Sequence, residues 1–263
     1  DHRDLHSFPT RRSSDLLRAG RYKSAIEPFV RADSSPEEEE QTEALLTDLW
    51  QIFLETVDNS RSPSPTQIQQ LADAGGILLP EEAQAAGLVD QVAYYEDVLT
   101  ELQALTEVDA AVGEDIPSVD LVSYSTLIGS DATAAEDVVA IVYAEGEIVF
   151  GEGGEGIIGS DTLSRTLRDL RFDEAVKAVV LRINSPGGGA SASEVIADAV
   201  RRLQADKPVV VSMGDIAASG GYMIAAEGSR IYASANTITG SIGVFGLLLN
   251  FQSIANRNGI TWD

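Results

Sequence analysis

Apolar side chains return every three to four positions between residues 37 and 57, at Leu45, Leu46, Leu49, Trp50, Phe53, Leu54 and Val57, the period of an amphipathic helix. Glu37-Glu38-Glu39-Glu40 follow Ser35-Pro36 and suit the first turn of that helix, where carboxylates meet the positive end of the dipole and otherwise form a solvated face. Shorter helices are predicted over Thr66–Asp73, Pro80–Ala86 and Tyr94–Leu105, with Pro80 in a first-turn position and Gly87 at a helix end. Residues 113–135 mix Pro, Ser, Asp and Gly without a period and read as a linker. Beyond them the pattern alternates. Strands are predicted at Val138–Tyr143, Ala175–Ile183, Pro208–Met213 and Arg230–Ala233, and helices at Ser160–Leu170, Ser191–Gln204 and Ser219–Ala226. Val-rich runs such as Val176-Lys177-Ala178-Val179-Val180-Leu181 predict strands covered on both faces, hence an α/β fold with a mainly parallel sheet of βαβ units. Active sites in such folds lie beyond the carboxyl ends of strands, where the segments Asn184–Gly189 and Gly214–Ser219 fall.

Composition narrows the function classes. The 263 residues, 44% hydrophobic, suffice for one large or two ordinary domains with a core, and no window approaches twenty apolar residues in a row. Cysteine is absent, which excludes disulfides, a cysteine nucleophile and thiolate metal sites. A formal charge of −24 argues against nucleic-acid binding and against docking on anionic lipid, and reads as a solubilising surface. The first sixteen residues, Asp1 to Leu16, are basic and non-periodic and hold both histidines, His2 and His6. They resemble translated sequencing-adapter sequence and are set aside as a non-native scar. Arg11-Arg12 is not read as an export signal because no apolar segment follows. The last residues close no pattern, so the chain is expected to be an internal piece of a longer protein.

Two glycine-rich turns carry the candidate chemistry. Gly187, Gly188 and Gly189 allow backbone N–H groups to approach a ligand closely, as an oxyanion hole or a phosphate loop requires. No GK[ST] or G-x-G-x-x-G pattern is present at this turn, which weakens the phosphate reading. Ser219, between Ala217-Ala218 and Gly220-Gly221 at a predicted strand-to-helix turn, is either a nucleophile or a capping and packing residue. Outside the scar no histidine can serve it, so a base has to be a lysine or a carboxylate. The chain has three lysines. Lys177 and Lys207 read as edge or surface residues, and Ser191 and Ser193 as helix caps. Lys23, in Arg21-Tyr22-Lys23-Ser24-Ala25-Ile26-Glu27-Pro28-Phe29, is either a solvated lysine or one buried enough to act as a neutral amine.

Three further stretches resemble the signal peptide peptidase A (protease IV) family: Val180 to Gly188, Val211 to Tyr222 and Thr239 to Gly246. Tyr22 to Phe29 is similar to the lysine-bearing segment of the family's long, tandem-repeat form. The resemblance implies a Clp protease/crotonase-like fold with two partial repeats. Residues 17–112 are the latter part of the first repeat, 113–135 the linker and 136–263 the opening part of the second. It implies Ser219 as nucleophile, Lys23 as general base and Ser241 as the residue that hydrogen-bonds the lysine. Gly220 and Gly188 form the implied oxyanion hole, with no metal or organic cofactor. The implied activity is a serine endopeptidase that degrades cleaved signal peptides and similar apolar peptides. The implied setting is the bacterial inner membrane, with the catalytic domain on the periplasmic side, an N-terminal anchor missing from this chain, and bowl-shaped homo-oligomers, tetramers in the full-length form.

Two other readings of the same residues stay open. A crotonase-type acyl-CoA hydratase or isomerase would use both glycine turns to polarise a thioester, with Asp215 or Glu194 as acid or base. A non-catalytic assembly module would keep the fold for subunit contacts alone.

Overall fold

A computed structural model describes residues 14–25, 27–106, 118–129, 136–249 and 252–259. In chain order its first elements are β1 (Ser14–Ala19), α1 (Glu27–Val30), α2 (Pro36–Ser60), α3 (Pro65–Asp73), α4 (Pro80–Ala85), α5 (Tyr95–Thr106) and α6 (Leu121–Gly129). There follow β2 (Val138–Glu145), β3 (Glu147–Val149), β4 (Gly153–Gly154), β5 (Ile157–Gly159), α7 (Ser160–Phe172), β6 (Val176–Ser185) and α8 (Ala190–Asp206). The last are β7 (Val209–Ala218), α9 (Gly220–Ala225), β8 (Arg230–Tyr232), β9 (Ile238–Gly240), β10 (Val244–Leu249) and α10 (Gln252–Arg257). Packing divides the chain into two compact units, Asp1–Thr47 with Asp137–Asp263, and Asp48–Glu136.

The larger unit is built on a parallel sheet in the order β2-β6-β7-β8, with β9 also pairing β7 in parallel. Alternation along the strands sends Val142, Ala144, Val179, Leu181, Ile183, Val209 and Val211 into the core. Ile196, Val200 and Leu203 meet them from one stripe of α8, and Leu163 and Leu167 from α7. The expected βαβ units are therefore present. Cover is uneven, however: Val139, Ile141, Tyr143 and Tyr232 of the outer strands β2 and β8 are exposed, and Ala178 and Val180 of central β6 are half-buried. β-Branched residues suit a pleated strand whether or not its outer face is covered, so a Val-rich run overstates burial. A three-stranded sheet, β3-β5-β4, and a two-stranded antiparallel ribbon, β1-β10, complete this unit's described strands. The periodicity predicted neither. β1 takes Ser14, Asp15 and Leu16 from the segment set aside as a scar, and residues 1–13 lie outside the described part.

The smaller unit is helical. Its helices start where expected: Ser64 forms a capping box with Gln67 ahead of α3, and Pro65 and Pro80 occupy first-turn positions. Leu54 and Ile68 are buried, whereas Phe53 in the predicted apolar face of α2 is half exposed. The expected linker holds a helix, α6, because Asp120 accepts from the Ser123 amide at 2.9 Å and starts a turn that the apolar residues Leu121 and Val122 continue. Residues 113–117 and 130–135 lie outside the described residues. Among the described residues no helix is long and apolar enough to cross a membrane.

Candidate active site

Strand β7 runs five residues further than its apolar run suggests, because Ile216, Ala217 and Ala218 pair with Ile238, Thr239 and Gly240 of β9. Gly214 to Ala218 is thus strand and not loop, and the turn is confined to Ser219. Its amide donates to the Gly240 carbonyl at 2.8 Å, which fixes the end of β7 against the end of β9. Ser219 has φ 52° and ψ −118°, a conformation that costs a non-glycine residue on the order of 1–3 kcal/mol and that is typical of nucleophile turns. Ser241, one residue past β9, has φ 50°. Among the described residues these two serines are the non-glycine positions with positive φ, and they are neighbours across the β7–β9 pair.

Lys23 reaches them from the other end of the sequence. Its Nζ lies 3.0 Å from Ser219 Oγ, donates to the Ser241 carbonyl at 2.8 Å and lies 3.0 Å from Ser241 Oγ. The residue is only 6% exposed, and burial pulls its amine below the ordinary lysine value. Three elements hold it there. The β1–β10 ribbon delivers Ala19 opposite Val244, a turn closed by Lys23 N to Gly20 O at 3.2 Å follows, and the far side is tied to α2. Arg21 meets Glu37 at 3.3 Å and Tyr22 donates to Glu40 at 3.0 Å, so part of the glutamate run is tethered rather than merely solvated. Glu27 is buried and accepts from the Ser35 amide and hydroxyl at the start of α2.

The glycine turn after β6 closes over the same point. Ile148 of β3 bridges Gly188, with Ile148 N donating to Gly187 O at 2.9 Å and Gly189 N to Ile148 O at 2.8 Å. This leaves the Gly188 amide without an acceptor among the described residues, and the Gly220 amide, first in α9, is an orphan donor of the helix start. A side chain at Gly187 would lie 2.8 Å from the Ser219 Cβ, and one at Gly188 would lie 2.1 Å from the Ile148 carbonyl. Glycine is therefore required where this loop touches the serine turn and β3. Ser185 and Asn184 support the loop. Ser185 Oγ donates to Gly146 O at 2.6 Å and accepts from Gly187 N, while Asn184 Oδ1 accepts from Ile216 N. Both fall in the strand-end segment Asn184–Gly189 of the sequence reading, which gives neither a role.

A cavity of about 600 Å³ opens on Ser219, with Lys23, Gly188 and Gly220 in its wall and Tyr222, Met223, Ile242, Val244 and Phe245 supplying an apolar lining. The remaining candidates lie elsewhere. Asp215 and Glu194 are exposed and do not line this cavity. Lys177 donates to Glu174 O, and Lys207 caps the end of α7 through Leu170 O at 2.7 Å. Ser191 and Ser193 are within α8 rather than ahead of it, since Gly189 is the N-cap; Ser193 is buried under Gly220 and donates back to Gly189 O. Among the described residues no group of three or more His, Cys, Asp and Glu could hold a metal ion.

The sequence model of peptidase family S49 matches residues 13–109 and 201–263. Protease 4 of Salmonella typhi is 36% identical, over 99% of this chain and 45% of its own. A chloroplastic serine protease, SPPA of Arabidopsis thaliana, is 33% identical, over 87% of this chain and 34% of its own. The chain thus spans less than half the length of these relatives. ClpP1 of Listeria monocytogenes aligns with 34% of this chain and 46% of its own at 25% identity and a TM-score of 0.28.

Proposed function

The chain belongs to peptidase family S49, and from that premise we propose that it carries the catalytic centre of a serine endopeptidase with Ser219 as nucleophile and Lys23 as general base. The observation that carries this reading is the buried amine 3.0 Å from the Ser219 hydroxyl, across 196 residues of chain. A neutral amine has two hydrogens and one lone pair. Here Ser241 O and Ser241 Oγ can take the hydrogens, which leaves the lone pair for the Ser219 O–H. Ser241 thereby orients the base.

The steps follow from these positions. Ser219 Oγ attacks the scissile carbonyl carbon as its proton passes to Lys23 Nζ. Negative charge develops on the carbonyl oxygen, and the Gly188 and Gly220 amides are the donors proposed to hold it, an interaction worth on the order of 3–4 kcal/mol per donor where it has been measured. Collapse expels the amine, which takes the proton from Lys23, and water then hydrolyses the acyl-enzyme with the same base. The apolar cavity suits the side chains of hydrophobic peptides, so cleaved signal peptides are the proposed substrate class. Attachment to the bacterial inner membrane on its periplasmic side and assembly into bowl-shaped homo-oligomers, tetramers at full length, are expectations drawn from the family resemblance. A hydratase reading has no support from the placement of Asp215 or Glu194.

The test is hydrolysis of an apolar fluorogenic peptide. Ser219→Ala and Lys23→Arg should each lower kcat by at least about 1,000-fold, since a guanidinium stays charged and cannot accept the proton. Retention of normal kcat by either variant, properly folded, would sink the dyad.

A further inference from the structure

Lys23 owes its position to the ribbon that precedes it, and the ribbon has one point of unusually close backbone approach. At Gly243, between Ser241 and β10, an added Cβ would lie 2.3 Å from the Ala19 carbonyl oxygen and 3.5 Å from Gly20 Cα, and φ there is +144°. On the facing side, a Cβ at Gly20 would lie 3.0 Å from Ile242 O and 3.4 Å from Gly243 Cα. The two glycines abut with no side chain between them. Lys23 is three residues beyond one, and Ser241 two residues before the other. Gly246, further along β10, differs: a Cβ there meets nothing within 4 Å.

We propose that Gly243 is a positioning residue of the dyad: by carrying no side chain it lets β10 close onto Ala19 and so sets the distance between Lys23 and Ser219. The proposal rests on the dyad reading above. A methyl group at position 243 has to displace the Ala19–Gly20 backbone by about an ångström to reach ordinary contact, and the shift is passed through a four-residue turn to the lysine. A displacement of that size is enough to cost on the order of 100-fold in rate when it misplaces a catalytic group. Tyr222 and Met223, the part of the cavity lining on α9, lie on a different element, whereas Ile242 and Val244 flank Gly243 in the same wall, so KM can change along with kcat and the lysine's own titration is the deciding readout.

The experiment compares Gly243→Ala with Gly246→Ala in the whole chain. Two quantities are read: kcat and KM for peptide hydrolysis, and titration of Lys23 by NMR in protein labelled with ¹³C-lysine, where only three lysines contribute signals. Gly243→Ala should lose about 100-fold in kcat. Its Lys23 resonance should titrate at higher pH than in the wild type, because a displaced amine is better hydrated. Gly246→Ala should match the wild type in both. If Gly243→Ala keeps wild-type kcat and Lys23 titration, the proposal is overturned. Should that variant not fold, Gly20→Ala probes the same contact, and wild-type values for both quantities there would overturn it equally. An inactive wild type would instead count against the dyad reading, and the NMR titration would still decide whether Gly243 sets the lysine's surroundings.

Discussion

Lys23 is an amine placed where its charged form is poorly solvated, and that placement sets its pH behaviour. Burial lowers its value from the ordinary 10.5, and the proposed mechanism requires the neutral form. Peptide hydrolysis should therefore fall as pH drops through the lowered value and level off above it. A pH profile of kcat checks this, and one that is flat from mildly acidic to alkaline pH would count against Lys23 as base. Stability is linked to the same titration. Between the lowered value and 10.5 the unfolded chain binds the proton more readily than the folded one, so unfolding free energy rises with pH across that window. Lys23→Met should remove that slope, as urea midpoints at several pH values would report. The two strained serines belong to the same account: positive φ at Ser219 and Ser241 is tolerated because the β7–β9 pair fixes both residues.

At the scale of elements, strands β2, β6 and β7 and helices α7 and α8 were legible because their buried residues repeat at two or near 3.6 positions, as Leu181, Ile183, Ile196 and Val200 illustrate. β1, β10 and β9 were not. β1 and β10 pair over six residues with partners more than 200 positions apart, and β9 pairs over only three residues, too few to show a period. The site inherits that division. Ser219 and the glycine loop were readable from small residues at a strand end; Lys23 stood out among three lysines, but only the family resemblance implied it as the base, since its contact with Ser219 depends on β1 meeting β10 more than 200 residues later. The anchoring of α2 was also missed. Ser35 accepts from the Glu38 amide at 3.2 Å and donates to buried Glu27 at 2.8 Å, tying the start of the helix to the segment after Lys23. Ser35→Ala removes a cap and one of Glu27's donors, so a loss of about 1–2 kcal/mol is expected. Chemical denaturation would measure it, and a change below about 0.3 kcal/mol would show that this junction contributes little.

Over the whole molecule the charge excess acts in two opposite directions. The exposed ion pairs, such as Arg165 with Glu152 and Arg201 with Glu227, are each worth roughly 0–1 kcal/mol and are weakened by salt. They cannot offset 42 acidic residues against 18 basic ones, which repel one another in the folded chain more than in the unfolded one. Raising sodium chloride from about 0.02 to 0.3 M shortens the Debye length from roughly 20 Å to 6 Å and should therefore stabilise the protein by about 1 kcal/mol, a rise of roughly 2–4 °C in Tm. The same field draws positively charged peptides toward the molecule. For an apolar peptide with a lysine-rich end, kcat/KM should fall as salt rises, while an uncharged peptide of the same apolar sequence should be nearly insensitive. Because Lys23 of the proposed dyad is buried and lies within 3.0 Å of Ser219, salt should leave kcat itself alone and act through kcat/KM. Steady-state kinetics on the two peptides across that salt range separates these effects. Equal responses would mean that the net charge keeps the protein soluble but has no part in gathering its substrates.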